Sequence, residues 1–324
     1  MLLRFGVRAL WVLGAFAAMV PVAWGQAYPA KPVRVVLGQP PGSILDVTLR
    51  LVGARLGQTL GQPVVIENRP GANATIAANM VIKAPPDGHT LWMGTAAGLH
   101  PLFNASGAAV LGQDLSPVSI VVAVPFNFYI SAKVPAKTIP ELVAYSKANP
   151  AGKMNFAPIV AQHELLMHLL AARTGITYTT IPFRQGGAPA VATAMRAGDI
   201  DIAFAGLAGF EPALAANAVR AVMITTPKRS RGLPDVPTAT ELGIPNFEAA
   251  SYSGLAAPMG TPPAIAQRIS GDLAGIMKEA DIVERFRTLG VDPVGSTPEE
   301  QIRVYEGEIR LWTEAAKLSN YKPQ

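Results

Sequence analysis

The 324-residue sequence has no cysteine, few charges and few aromatics: 15% of its positions are Asp, Glu, Lys or Arg, and 7% are Phe, Trp or Tyr. The missing cysteine excludes disulfides, thiolate metal sites, a cysteine nucleophile and a lipid-bearing N-terminal cysteine. Sparse charge beside 50% hydrophobic residues excludes disorder through most of the chain. Glycine (30) and proline (29) are abundant but follow no period, so neither a collagen-like nor a low-complexity chain fits. The mean hydropathy of +0.28 is high, yet the apolar residues are not evenly spread.

Part of that hydropathy lies in residues 1–25. Arg4 and Arg8 precede an apolar stretch from Ala9 to Ala23, interrupted by Gly14 and Pro21. Ala23-Trp24-Gly25 is a small-x-small cleavage pattern, which makes Gln26 the expected mature N-terminus. The alternative is an uncleaved anchor, but about 15 apolar residues before a proline fall short of the ~20 that a span needs. No later run reaches that length without a charge, glycine or proline. The expected product is exported, and its formal charge falls from +5 to +3 as two arginines and no acids leave. Lys228-Arg229-Ser230-Arg231 is the one basic cluster, without interleaved aromatics; it reads as a solvated turn, and no nucleic-acid partner is expected.

Beyond residue 26, short β-branched runs alternate with helical patterns. Val33–Leu37 reads as a buried strand, and Leu45, Leu49, Val52, Leu56 and Leu60 then recur at helical spacing. Strands at 64–66 and 91–93 with a helix at 73–82 complete a βαβαβ unit, which predicts a mostly parallel sheet covered by helices. Further strands are expected at 118–124, 128–131, 154–156, 178–181, 200–204 and 221–224, and helices at 139–148, 162–173 and 188–197. Two proline-opened helices follow, one burying Ile265, Ile269, Leu273 and Ile276, the other Ile302, Tyr305, Ile309 and Trp312. No stretch resembles a flexible linker. Two domains of this length then require extensive contact or strands that cross between them.

Catalytic patterns are absent. His163 and His168 stand five residues apart, ~140° around a helix, where a zinc protease needs four. His89 and His100 have no partner at ligand spacing and read as turn or surface residues. The Asp199-x-Asp201 pair beside a strand reads as a capped turn. There is no G-x-S-x-G elbow, dinucleotide fingerprint or P-loop lysine. What remains are glycine-rich turns after strands: Gln39-Pro40-Pro41-Gly42-Ser43 leading into a helix with Asp46, and Arg184-Gln185-Gly186-Gly187-Ala188. Ligands of open α/β sheets bind at strand carboxyl ends, and helix N-termini there offer N–H groups to an anion. Two such turns facing each other would suit a carboxylate; ordinary βα turns are the alternative.

From Tyr28 to the C-terminus the chain resembles the Bug/TctC extracytoplasmic solute receptors of tripartite tricarboxylate transporters. The resemblance rests on Tyr28-Pro29-Ala30-Lys31-Pro32-Val33, Pro40-Pro41-Gly42 with Asp46, Gly61-Gln62-Pro63-Val64-Val65 and Glu67-Asn68-Arg69-Pro70-Gly71-Ala72. It continues through Ala84-Pro85-Pro86-Asp87-Gly88-His89-Thr90-Leu91, Val134-Pro135-Ala136-Lys137-Thr138, Ile181-Pro182-Phe183-Arg184 and Leu233-Pro234-Asp235-Val236-Pro237-Thr238. Each piece is weak alone; their order and intervals are specific.

The resemblance implies a periplasmic-binding-protein-like fold of type II, the Venus flytrap, with two α/β domains joined by crossing strands. Domain 1 would be residues 26–124 plus 250–324, and domain 2 residues 125–249. It implies no cofactor, metal or catalysis, and a monomer in the periplasm that binds a small-molecule carboxylate and meets membrane permease subunits transiently. Sensing, or an enzyme on the same scaffold, are the alternatives. Carried over, the ligand contacts are Gln39, Gly42, Ser43, Asp46, Thr95 and Ala96 in domain 1. In domain 2 they are Pro158, Ile159, Gly186, Gly187, Ala188, Phe204 and Ala205. Main-chain N–H donors are expected at Gly42, Ser43, Gly187 and Ala188, with Asp46 capping its helix or holding a water. Three loops depart from the family pattern by losing polar groups: Gln39-Pro40-Pro41-Gly42-Ser43-Ile44-Leu45-Asp46, Pro158-Ile159-Val160-Ala161-Gln162 and Ala205-Gly206. These departures point to a larger or more apolar acid, such as an aromatic carboxylate; the alternative is drift with an ordinary acid retained.

Overall fold

The computed structural model describes residues 28–100, 102–103, 109–149, 154–183 and 186–319. The expected signal segment, Gln26, Arg184 and Gln185 lie outside the described residues. Strand β1 (Val33–Leu37) leads into helix α1 (Ile44–Leu60), which Ser43 caps through its side chain and Gly61 ends in the left-handed region. The apolar stripe of α1 is buried as its spacing requires, from Leu45 to Leu60. Then come β2 (Val64–Asn68), α2 (Thr75–Ile82), β3 (Thr90–Thr95) and the long β4 (Leu115–Pro125). Gly94 is needed where it stands, because a Cβ there would lie 2.1 Å from the Trp92 ring.

Phe126 alone separates β4 from β5 (Asn127–Ser131). The middle of the chain adds α3 (Ile139–Ala148), β6 (Asn155–Phe156), α4 (Ala161–Thr174), β7 (Thr179–Thr180), α5 (Gly187–Ala197), β8 (Ile202–Ala205), α6 (Glu211–Ala215) and β9 (Val219–Ile224). The last part holds β10 (Ala250–Pro258), α7 (Pro263–Ile276), α8 (Ala280–Thr288), β11 (Asp292–Pro293) and α9 (Pro298–Ser319). Two sheets result, in the orders β11-β4-β10-β3-β1-β2 and β7-β6-β8-β5-β9.

Both sheets are mixed, which corrects the mostly parallel expectation. β1 runs parallel to β2 and β3, but β10 inserts antiparallel between β3 and β4. In the second sheet β6 is parallel to β7 and β8, while β5 is antiparallel to β8 and β9. β10 was not expected at all: Ala250-Ser251-Tyr252-Ser253-Gly254-Leu255-Ala256-Ala257-Pro258 has no β-branched residue. It holds its place through pairing on both edges and burial of its apolar residues.

The chain crosses between sheets twice, at Phe126 and between Thr225 and Ala249. Thr225 joins the two crossings: its N–H donates to Phe126 O at 3.1 Å, and the Ala249 N–H donates to Thr225 O at 2.8 Å. Helix α9 spans both halves. Tyr305 packs in a cluster with Val36 and Trp92 of the first sheet, and its hydroxyl donates to Leu99 O at 2.7 Å. Leu311, Trp312, Ala315 and Ala316 pack in a cluster with Phe128 and Phe204 of the second.

Candidate functional site

The loop after β1 is held by one carboxylate. Asp46 accepts from the Gly42 N–H at 2.9 Å, Asn68 Nδ2 at 2.9 Å and Arg50 Nη2 at 2.9 Å, and its own N–H donates to Ser43 Oγ at 3.2 Å. Asn68, at the end of β2, also donates to Gln39 O at 3.0 Å. The Asp46 side chain is buried, and the Arg50 guanidinium and these N–H donors hold its carboxyl at about 2, well below the usual range. The helix cap is Ser43 rather than Asp46, and the Asp46 carboxylate is engaged by these partners.

This network corrects two expected donors. The Gly42 N–H is committed to Asp46, and the Ser43 N–H donates to Pro40 O at 3.3 Å. The Ser43 and Thr95 hydroxyls both serve as acceptors at helix starts, from Asp46 N and from Gly98 N at 3.1 Å, and each keeps its own proton to donate. Ala96 opens the short turn after β3. The loops stand side by side because β1 and β3 are parallel neighbours; the Gly38 N–H donates to Met93 O at 3.4 Å.

The second-sheet loops differ. Pro158 and Ile159 are half-buried after β6 and lead to α4, whose N-cap, Val160, makes no side-chain cap bond. Gly186 (φ 87°) and Gly187 (φ 58°) take left-handed conformations that favour glycine, and α5 likewise starts without a side-chain cap. First-turn N–H groups of a helix have no intrahelical partner, and at the start of α5 these include the N–H groups of Gly187 and Ala188. Phe204 and Ala205 do not suit direct side-chain contact: both are fully buried, and Phe204 packs on Phe128 at 4.8 Å between ring centres. The strand expected at 200–204 runs instead from Ile202 to Ala205; its side chains alternate into the two cores, and the half-buried Gly206 follows its end.

One polar group was missed. Asn127, buried in β5, donates from Nδ2 to the Tyr129 hydroxyl at 3.2 Å, which in turn donates to Gly206 O at 3.4 Å. Its Oδ1 is buried and has no partner among the described residues. The available signal was an amide inside the apolar run Pro125-Phe126-Asn127-Phe128-Tyr129.

Strand register brings both loop sets to the crossing. β3 ends with Thr95 opposite Ser253, and β10 begins at Ala250 opposite Pro125. β8 ends with Ala205 opposite Asn127, and a Cβ on Gly206 would lie 3.1 Å from Val124 Cγ1. The carboxyl ends of the parallel strands in both sheets therefore approach the crossing from opposite sides. Ala96 also lines a small interior hollow with Trp92 and Tyr252.

The histidines give no catalytic centre. His163 is buried, its ring edge on Phe126 at 5.0 Å, and burial pushes its pKa down to about 3. His168 Nδ1 lies 3.0 Å from the Tyr178 hydroxyl. His100, expected at a turn or surface, is buried; its Nδ1 accepts from the Leu102 N–H at 3.0 Å. Among the described residues no group of His, Cys, Asp or Glu could hold a metal ion, and no helix is long and apolar enough to cross a membrane.

Comparison with known proteins gives a consistent result. The family profile described as "Tripartite tricarboxylate transporter family receptor" matches residues 48–317. BugT of Bordetella pertussis is 32% identical over 97% of this chain and 98% of its own. A solved R. palustris protein with adipate is 28% identical, with a TM-score of 0.70 over 92% of this chain and 100% of that one. MatC from Rhodopseudomonas palustris, with bound malate, is 29% identical, with a TM-score of 0.64 over 89% and 99%.

Proposed function

We propose, from the premise that this chain belongs to the tripartite tricarboxylate transporter receptor family, that it captures a small organic carboxylate between its two sheets and presents it to membrane permease subunits. Membership makes it a periplasmic solute-binding receptor of the two-lobed α/β type, and a receptor rather than an enzyme. The single observation that carries the ligand reading is the pair of loop sets facing the crossing, with the α5 N-terminus left uncapped on the second side. Free N–H groups and a helix dipole there favour an anion.

The roles follow from the geometry. Gly187 and Ala188 donate to the carboxylate, and the Ser43 and Thr95 hydroxyls orient it or a bridging water. Ile159, Phe183 and Ala188, partly buried on the same cluster as Tyr129, supply an apolar wall. That wall favours an acid with an apolar body, aliphatic or aromatic, over a compact hydroxy-acid. The domains we propose are residues 26–124 plus 250–324 and residues 125–249, with α9 lying across both cores and residues 1–25 removed as a signal peptide.

A thermal-shift series of aliphatic and aromatic acids tests the reading. At 100 times its Kd a bound acid adds about 2.7 kcal/mol to stability. A shift with adipate or benzoate larger than with malate supports the apolar wall. Tight malate binding with no response to the others removes the wall but keeps the receptor; turnover of any acid contradicts the receptor itself.

A further inference from the structure

Away from the crossing loops, α9 forms one wall of a hollow of about 510 Å³ whose lining includes Asn246, Glu248, Tyr252, Glu308, Leu311 and Glu314. Nothing in carboxylate capture uses it. Glu308 is only 5% exposed, yet no ion pair reaches it among the described residues. Arg303 and Arg310, both exposed, also line the hollow; Arg303 pairs with Glu300, and neither forms an ion pair with Glu308 among the described residues. The Trp312 indole N–H, one turn along, faces it without a well-formed bond.

A buried carboxyl without a counter-ion is costly in its charged form and avoids that cost by holding its proton until a cation comes beside it. Burial pushes the Glu308 carboxyl well above the usual range, so a cation placed beside it would draw it into its charged form. Tyr252 adds an aromatic surface and Glu248 a second, exposed carboxylate. Tyr305 and Trp312 lie either side of Glu308 on α9, one packed in each core.

We propose that this hollow is a second binding site, for a small ligand bearing an ammonium or guanidinium group, with Glu308 as its buried counter-ion. The carboxylate meets the cation directly, Tyr252 covers it from the side, and Glu248 strengthens the field at the entrance. An occupant touches a helix packed into both cores, so it sits where it can bias the two halves.

Calorimetric titration of the whole protein with butylammonium chloride, against butanol at matched ionic strength, tests this. Saturable binding of butylammonium and none of butanol is expected. Glu308→Gln should weaken binding at least about tenfold, and Glu248→Lys, on the exposed rim where folding is not at stake, should weaken it too. Ala188→Asp, in the carboxylate site, should leave it unchanged, which separates this site from that one. Absence of saturable binding to the unaltered protein, equal binding of butanol, or unchanged binding in both Glu308→Gln and Glu248→Lys would overturn the proposal.

Discussion

The two loop sets at the crossing are built on opposite plans. On the first sheet, Asp46 gathers Gly42, Asn68 and Arg50, and Ser43 caps α1, so the loop's polar groups are largely spent on one another. On the second sheet, α4 and α5 begin without side-chain caps, and α5 opens on two left-handed glycines. A preassembled wall therefore faces one whose helix starts carry no side-chain cap. Damage to the first wall should appear as lost stability, and damage to the second as lost affinity.

The largest stability effect is expected at the centre of the first wall. Asp46→Ala leaves the Gly42 N–H, Asn68 and Arg50 without their shared acceptor and should cost about 3 kcal/mol, read as the shift in urea midpoint at constant slope. A loss comparable to an ordinary surface substitution would remove the idea of a preassembled wall.

Acid should do part of the same damage. The folded Asp46 carboxyl titrates at about 2 against an ordinary 3.8, so the folded state holds fewer protons than the unfolded one. Its contribution is full above about pH 5 and is lost as pH falls toward about 2, a total of about 2 kcal/mol. Stability curves of the unaltered protein and Asp46→Asn should converge over that window; parallel curves would show that the carboxylate is not the titrating group.

A smaller effect separates cap from ligand contact. Ser43→Ala removes the acceptor of the Asp46 N–H and should cost about 1 kcal/mol of stability. If acid affinity fell more than stability did, the Ser43 hydroxyl would be a direct contact and the contrast between the walls less sharp.

The sequence made the βα units legible because their apolar periods are strong, and so the loops after β1, β3, β6 and β8 were found. Its failures have physical causes. β10 depends on neighbours on both edges, which local propensity in Ala250–Pro258 does not reveal. Asp46 was expected to cap its helix or hold a water; Ser43 is the cap instead, and the claim Asp46 lays on the Gly42 N–H depends on how the loop folds back. Phe204 lay in the expected strand and Ala205 just beyond its expected end, yet a strand's position alone does not say that both of its faces are covered. Asn127 hid in an apolar run, where only a structure shows its Oδ1 left unpaired.

The central claim is that the anion is met at the start of α5. The most direct measurement is a titration of the unaltered protein and Ala188→Asp with the tightest acid from the thermal series. An added carboxylate at a helix start favours the helix but repels an anion bound there. The account predicts unchanged or slightly raised thermal stability with affinity at least about tenfold weaker. Equal affinity in the two proteins would contradict it.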